Sequence, residues 1–314
     1  VTAAFEGALR ALAPAKVNLG LSVGPLREDG RHELATVMQS VSLADELVLS
    51  AGASPGAAAD EVICPGVGGP NLASAALAAF REAFGWAAPP VTLRIEKRVP
   101  VAAGLAGGSA DAAAALRLAA AASGLGDERG LLDLAARLGA DVPAQVRPGR
   151  WLAGGAGERL VALPAPAAAL AVLVLPVAAA LATADVYAEA DRLGLARDAS
   201  SVAAAARELE AALAGGAALP PAGLLVNDLQ RAAISLCPPI DGVLAVARES
   251  GADAALVSGS GPTVIGLFAG GDAVARVQAA AAELSGRAEG AIAAAPVGTG
   301  FGTPVVAEVR HNLR

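Results

Sequence analysis

The sequence predicts an α+β fold in two domains, and three observations carry that expectation. Strand-like segments of two-residue alternation mix with helical segments, without the steady strand–helix–strand period of a doubly wound sheet. The chain has 314 residues, enough for one large or two ordinary domains with a core that needs no covalent staple. A proline- and alanine-rich passage near 155–170 offers a boundary between the two.

Residues 8–24 read as two extended runs on either side of Pro14, and 37–50 as a further extended pair turning near Ala44 and Asp45. Residues 51–70, rich in glycine, alanine and proline, read as a loop. Asn71 is a suitable N-cap for a helix over 72–85, where Leu72, Ala75, Ala76, Ala79 and Phe80 share one face. Residues 91–99 alternate Val91, Leu93 and Ile95 against Thr92, Arg94 and Glu96, which predicts a half-buried strand. Helices follow at about 109–123 and 128–138, the second closed by Gly139. Beyond the boundary, 169–176 reads as a buried strand, and helices are expected at about 184–194, 200–214 and 227–236. Residues 252–268 give strand, glycine turn and strand, 272–285 a helix, and 291–298 and 303–309 two last strands.

Composition excludes several classes. A net charge of −7, with arginines scattered among acids, gives no basic face for nucleic acid. The uncharged run Val161–Ala184 raises the question of a membrane span, but Pro164, Pro166 and Pro176 break it. The opening residues, with Glu6 and Arg10, lack the apolar core of a secretory signal. Cys64 and Cys237 are the two cysteines and form no metal-ligand spacing. Together these features lead us to expect a cytoplasmic protein without a dedicated metal site.

The stretch VPVAAGLAGGSADAAAAL (99–116) carries the strongest chemical signal. Three of the five residues at 104–108 are glycine, directly before an alanine-rich helix. Glycines allow close backbone approach and positive φ, and the first amides of a helix have no internal acceptors. That combination suits a phosphate anion; close packing of two elements is the plainer explanation. The stretch has no P-loop lysine, no dinucleotide fingerprint and no nucleophile elbow. His32 and His311 are the only imidazoles available as bases. Ser109 reads as a helix cap or a phosphate donor, and Asp111 as a helix-start acid. A second glycine turn, SGSGP (258–262), has more flexible residues than a hairpin requires.

Among 23 basic residues only Lys16 and Lys97 are lysines. Lys16, in APAKVNLGL, suits a place where a point charge is wanted rather than a planar fork, or is simply a surface lysine. Lys97 reads as a solvated strand end. GADVP (139–143) sets Asp141 between a helix-ending glycine and a proline, where a general base would fit.

PAKVNLGL, DGRHEL, PVAAGLAGGSADAAAAL, LGADVP and VSGSGPTV occur in an order and at distances that resemble the GHMP kinase superfamily, over residues 13 to at least 298. Within it the chain is similar to the kinases of a cytidylylated polyol in isoprenoid precursor biosynthesis, to which ATADVYAE (182–189) adds. The resemblance implies a two-domain α+β fold, 1–160 and 161–314, with the active site in the interdomain cleft. It implies ATP and Mg²⁺, with phosphates held by Pro100, Ala102, Ala103, Gly104, Leu105, Ala106, Gly107, Gly108, Ser109 and Ala110. Lys16 and Asp141 match the catalytic pair. Asn18, Arg31, His32, Asp141, Tyr187, Gly259, Ser260 and Gly261 match acceptor-binding positions, with Arg31 and Tyr187 on either side of the base and His32 bonded to it. Two residues depart from the pattern. Arg31 stands where an aromatic is usual, and Ala103 where glycine is usual, while Ala102 is unremarkable. A different polyol, a sugar or an amino-acid alcohol is the alternative acceptor, and a nucleotide binder without turnover is a further class. The assembly expected is a monomer or homodimer.

Overall fold

The computed structural model describes residues 6–52, 57–285 and 290–307. In chain order the elements are β1 (Ala8–Leu26), β2 (His32–Ala51), β3 (Glu61–Ile63), α1 (Leu72–Phe84), β4 (Val91–Glu96), α2 (Gly107–Ser123), α3 (Glu128–Leu138), α4 (Val142–Val146), β5 (Arg150–Gly155), β6 (Arg159–Leu163), β7 (Leu170–Leu175), α5 (Thr183–Arg192), α6 (Ala199–Leu213), α7 (Gln230–Leu236), α8 (Pro239–Glu249), β8 (Ala254–Val257), β9 (Val264–Ala269), α9 (Ala273–Leu284), β10 (Ile292–Ala294) and β11 (Val305–Val306).

Two sheets organise the fold. The first runs β11-β1-β2-β4-β3, and β5 joins the other half of β2 and carries β6 on its outer edge. The second runs β10-β7-β9-β8, antiparallel throughout. Three apolar layers hold them together. Leu47, Leu49, Leu93 and Ile95 of the first sheet pack on Leu77 and Phe80 of α1 and the alanines of α2. Val17, Leu19 and Val37 meet Val172, Val174 and Ile265 between the sheets. Leu173 and Phe268 face Ile240, Leu244 and Val277 of the outer helices. Every residue of β7 is buried, because one face meets the first sheet and the other the helices. Such a strand has no polar side to show, which explains the lack of charge over 170–175. Among the described residues no helix is long and apolar enough to cross a membrane.

Several sequence expectations need correction. β1 is one strand, its register shifting between Pro14 and Lys16 rather than breaking. β2 does not turn at Ala44 and Asp45 but continues, and Asp45 is fully buried within it. The loop expected over 51–70 contains β3, which pairs in parallel with β4. β5 and β6 were not foreseen; Gly155 and Gly157, at φ 69° and 107°, turn one into the other. α8 was also not foreseen; Pro239 opens it, at a position where a missing N–H costs nothing. The last strand is confined to Val305–Val306 and pairs with β1; residues 308–309 of the expected strand, and His311, lie outside the described residues. A division at 160/161 would cut β6, so the first sheet draws on chain beyond residue 160 and again near the C-terminus.

Candidate active site

A cleft of about 1040 Å³ opens between the lobes. Lys16 reaches it from β1, where a strand's two-residue period puts Asn18 on the same face. Lys16 is 6% exposed. Its Nζ donates to Asn18 Oδ1 at 2.8 Å and lies 3.7 Å from Asp141 Oδ2. Asn18 Nδ2 in turn donates to Thr36 Oγ1, which donates to the Gly20 carbonyl, at 2.8 and 2.6 Å. This chain fixes the Asn18 amide so that its oxygen faces the lysine. Asp141 precedes α4, its side chain one-third exposed to the cleft.

The glycine stretch makes an adjoining wall. Ala102, Gly104 and Ala106 all hold positive φ, at 55°, 74° and 54°. Left-handed backbone costs an alanine about 1–2 kcal/mol, so the loop stores strain at two residues. Ala102 is therefore one of the strained positions, while Ala103, which stands where glycine is usual, is buried with ordinary φ and tolerates its methyl group. The helix begins at Gly107 with Ala106 as its N-cap, so Ser109 does not cap it. Among the described residues the N–H groups of Gly107, Gly108 and Ser109 donate to no protein acceptor. A Cβ on Gly108 would meet nothing within 4 Å, so the backbone there is open. Ala110 is fully buried and faces the core rather than the cleft.

The two glycine turns touch. A Cβ on Gly104 would fall 2.6 Å from the Ser258 carbonyl oxygen. On the acceptor side Gly259, Ser260 and Gly261 line the cleft, and Ser260 Oγ bonds Thr183 Oγ1 at 3.0 Å. A Cβ on Gly259 would come within 3.3 Å of both Lys16 Nζ and Asn18 Oδ1. The Lys16 backbone N–H donates to the Leu105 carbonyl at 3.1 Å, tying β1 to the loop.

Lys97 is not a solvated strand end. It pairs with Asp45 and with Asp111, the latter at 2.8 Å, beneath Gly107. Asp111 is likewise no simple helix-start acid: it is 3% exposed, and its Oδ1 has no partner. Asp45 accepts from the Arg98 and Val99 N–H groups as well as Lys97, so it has more hydrogen-bond partners than Asp111. Burial, offset in part by Lys97, pushes the Asp111 carboxyl up to about 7.

His32 and Tyr187 stack, ring centroids 5.2 Å apart. His32 Nδ1 bonds the Gly24 carbonyl at 2.8 Å. Burial first, and Asp141 second, push the Tyr187 hydroxyl up to about 12. Arg31 lines the same cleft. Its guanidinium is half exposed at the rim and held by Asp29, with Nη2 2.9 Å from Oδ2.

Some site residues escaped the sequence reading. Asn227 was assigned to a helix, yet its Nδ2 donates to the carbonyls of Val257 and Gly259 at 2.8 and 2.7 Å and brackets the second glycine turn. Cys64, Asn71 and Leu72 line the far end of the cleft. The rarity of lysine was a usable signal for Lys97, but its two carboxylate partners come from distant segments. Among the described residues no cluster of His, Cys, Asp or Glu could hold a metal ion. The donor set that is present, free helix-start amides beside a lysine, fits a polyphosphate carrying its own divalent cation.

Two α+β lobes around a cleft, with a glycine loop at a helix start on one wall, define a two-domain fold suited to binding a polyphosphate. The chain matches the family models for the GHMP kinase N-terminal domain at residues 71–149 and C-terminal domain at 202–286. It is 43% identical over 301 residues to the 4-diphosphocytidyl-2-C-methyl-D-erythritol kinase of Anaeromyxobacter sp. (strain K), covering 91% of this chain and 88% of the relative. The enzyme of that description from Streptomyces coelicolor is 44% identical, covering 80% and 84%. A crystal structure of 4-(cytidine 5'-diphospho)-2C-methyl-D-erythritol kinase aligns with TM-score 0.72 and 35% identity, covering 92% of this chain and all of that one. A homoserine kinase from Cytophaga hutchinsonii shares the fold, at TM-score 0.70 and 20% identity over 98% and 99% of the chains. The chain belongs to the GHMP kinase family, the ATP-dependent kinases of small-molecule alcohols being the class its curated relatives fall in.

Proposed function

We propose that this chain transfers the γ-phosphoryl group of ATP to the 2-hydroxyl of 4-diphosphocytidyl-2-C-methyl-D-erythritol, a step in isoprenoid precursor synthesis. One observation carries the chemistry: Lys16, Asp141 and the free amides of Gly107–Ser109 converge on one cleft. Phosphoryl transfer needs alignment and charge stabilisation more than covalent help. MgATP supplies the phosphoryl group and the charge neutralisation of its metal. The loop amides grip phosphate oxygens, and Lys16 offsets charge on the transferring group. Asp141 accepts the proton of the acceptor hydroxyl, with Lys16 Nζ 3.7 Å from its carboxylate. Tyr187 and His32 form the base-binding side, which supports a nucleotide-bearing acceptor over a plain polyol.

A coupled ADP-release assay tests this. The cytidylylated acceptor is compared with free methylerythritol, galactose, homoserine and mevalonate. Turnover of the cytidylylated compound alone is expected. Turnover of a compound without the base instead would overturn the reading.

A further inference from the structure

Arg117 lies midway along α2, the helix whose first amides face the cleft. It is partly buried, and its guanidinium donates to three main-chain carbonyls. Nη1 reaches Gln145 at 2.5 Å and Val146 at 3.4 Å, the last two residues of α4. Nη2 reaches Leu12 of β1 at 2.8 Å, on the same strand as Lys16. α4 is a single turn of five residues, too short to be stable by itself. Its closing carbonyls have no partner within the helix, and a cation there suits the helix dipole. Asp141 is the N-cap at the other end and makes no side-chain hydrogen bond to the helix. The place of its carboxylate therefore follows that of α4. The guanidinium is also enclosed from outside, since a Cβ on Gly302 would fall 2.7 Å from Nη2. Burial pulls it down to about 10, still fully charged at neutral pH.

We propose that Arg117 is a positioning residue for phosphoryl transfer: by tying the end of α4 to α2 and β1, it sets where Asp141 stands relative to Lys16 and the phosphate-binding amides. The three elements it joins carry the three parts of the site. α2 supplies the amides, β1 the lysine and α4 the base. A planar fork can bridge separate elements at a fixed spacing, which a single ammonium cannot. Arg117 does not itself line the cleft, so it acts through Asp141. The inference rests on the reading of Asp141 as the base and adds what holds that base in place.

The test is a kinetic double-mutant cycle on the full chain: wild type, Arg117→Met, Asp141→Asn and the pair. ADP release with the cytidylylated acceptor gives kcat and the KM for ATP, and thermal unfolding is followed alongside. Arg117→Met fills similar space without donors. It is expected to lower kcat by on the order of 10–10²-fold, as a small displacement of a reacting group does, with the KM for ATP within about twofold. In the Asp141→Asn background the same change is expected to cost less than about twofold, because the base it positions is already gone. Arg117→Lys keeps the charge and a donor but not the fork. It takes the same place in the cycle if Arg117→Met does not fold, with an expected loss of about threefold to tenfold. Losses in kcat that multiply across the cycle, or a folded variant that retains full kcat, overturn the inference while leaving the kinase reading intact. A wild type inactive on that acceptor, or full kcat in Asp141→Asn alone, overturns the functional reading and this inference with it.

Discussion

A Cβ atom on Gly104 would lie 2.7 Å from the carbonyl oxygen of Gly261. The glycine loop of one lobe and the glycine turn of the other are thus in backbone contact, and Gly104 also holds φ 74°. Gly104→Ala combines this clash with left-handed strain and is expected to destabilise the fold by more than about 2 kcal/mol. Gly108→Ala, which meets no protein atom within 4 Å, should fold normally and raise the KM for ATP. Urea unfolding with steady-state kinetics separates the two, and equal melting losses would refute the distinction.

Asp141 is one-third exposed and caps α4 without a side-chain hydrogen bond to it, so its replacement should cost little stability. Asp141→Asn is expected to lower kcat by about 10²–10⁴-fold, the usual worth of a positioned base. Binding of ATP, followed by calorimetry, should be nearly unchanged. Retention of most of the wild-type kcat would remove Asp141 from this role.

In the folded chain Asp111 keeps its proton up to about 7, against an ordinary 3.8. Between those values the folded state binds a proton that the unfolded state has released, so this group makes stability fall as pH rises. Above the window its contribution is level. Asp111→Asn replaces a protonated carboxyl with a neutral amide and should remove that fall. Melting temperatures at pH 4 and pH 8 check it: the variant should gain on the wild type at the higher pH. A difference that does not change with pH would count against the raised carboxyl.

Asp29 holds Arg31 at the rim, whereas Tyr187 is packed against His32. Exposed ion pairs contribute little. Tyr187→Ala is therefore expected to raise acceptor KM more than Arg31→Ala does, with neither changing ATP KM greatly. The reverse order would mean that the guanidinium leaves Asp29 and stacks on the base.

Asn227 makes two hydrogen bonds to the strand and turn of the second glycine motif, and its Oδ1 accepts from the Leu229 N–H. Asn227→Ala leaves buried backbone groups unpaired and is expected to destabilise by about 1–3 kcal/mol. Acceptor KM should rise with it, since Gly259 borders Lys16. A variant of unchanged stability and kinetics would show that the turn holds its shape without this bracket.

The local features were legible in the sequence because short-range chemistry sets them. Asn71 accepts from the Ala73 N–H at 2.9 Å, as its place before the helix implied. The span 128–138 was read to the residue, and the alternation of 91–96 was readable because one face of β4 is buried. Lys16, Asp141 and the glycine loop could be singled out by residue type and spacing, although no local rule said that they meet. Only the tertiary structure decided the rest. Asp45, Lys97 and Asp111 form one buried network from three separated segments, and each reads as an ordinary surface charge by itself. Asp191 likewise meets His32 only through the packing of α5 against β2, at 3.3 Å. A charge far apart in sequence from its partner carries no local signature, because burial and Coulomb interaction depend on distance in space.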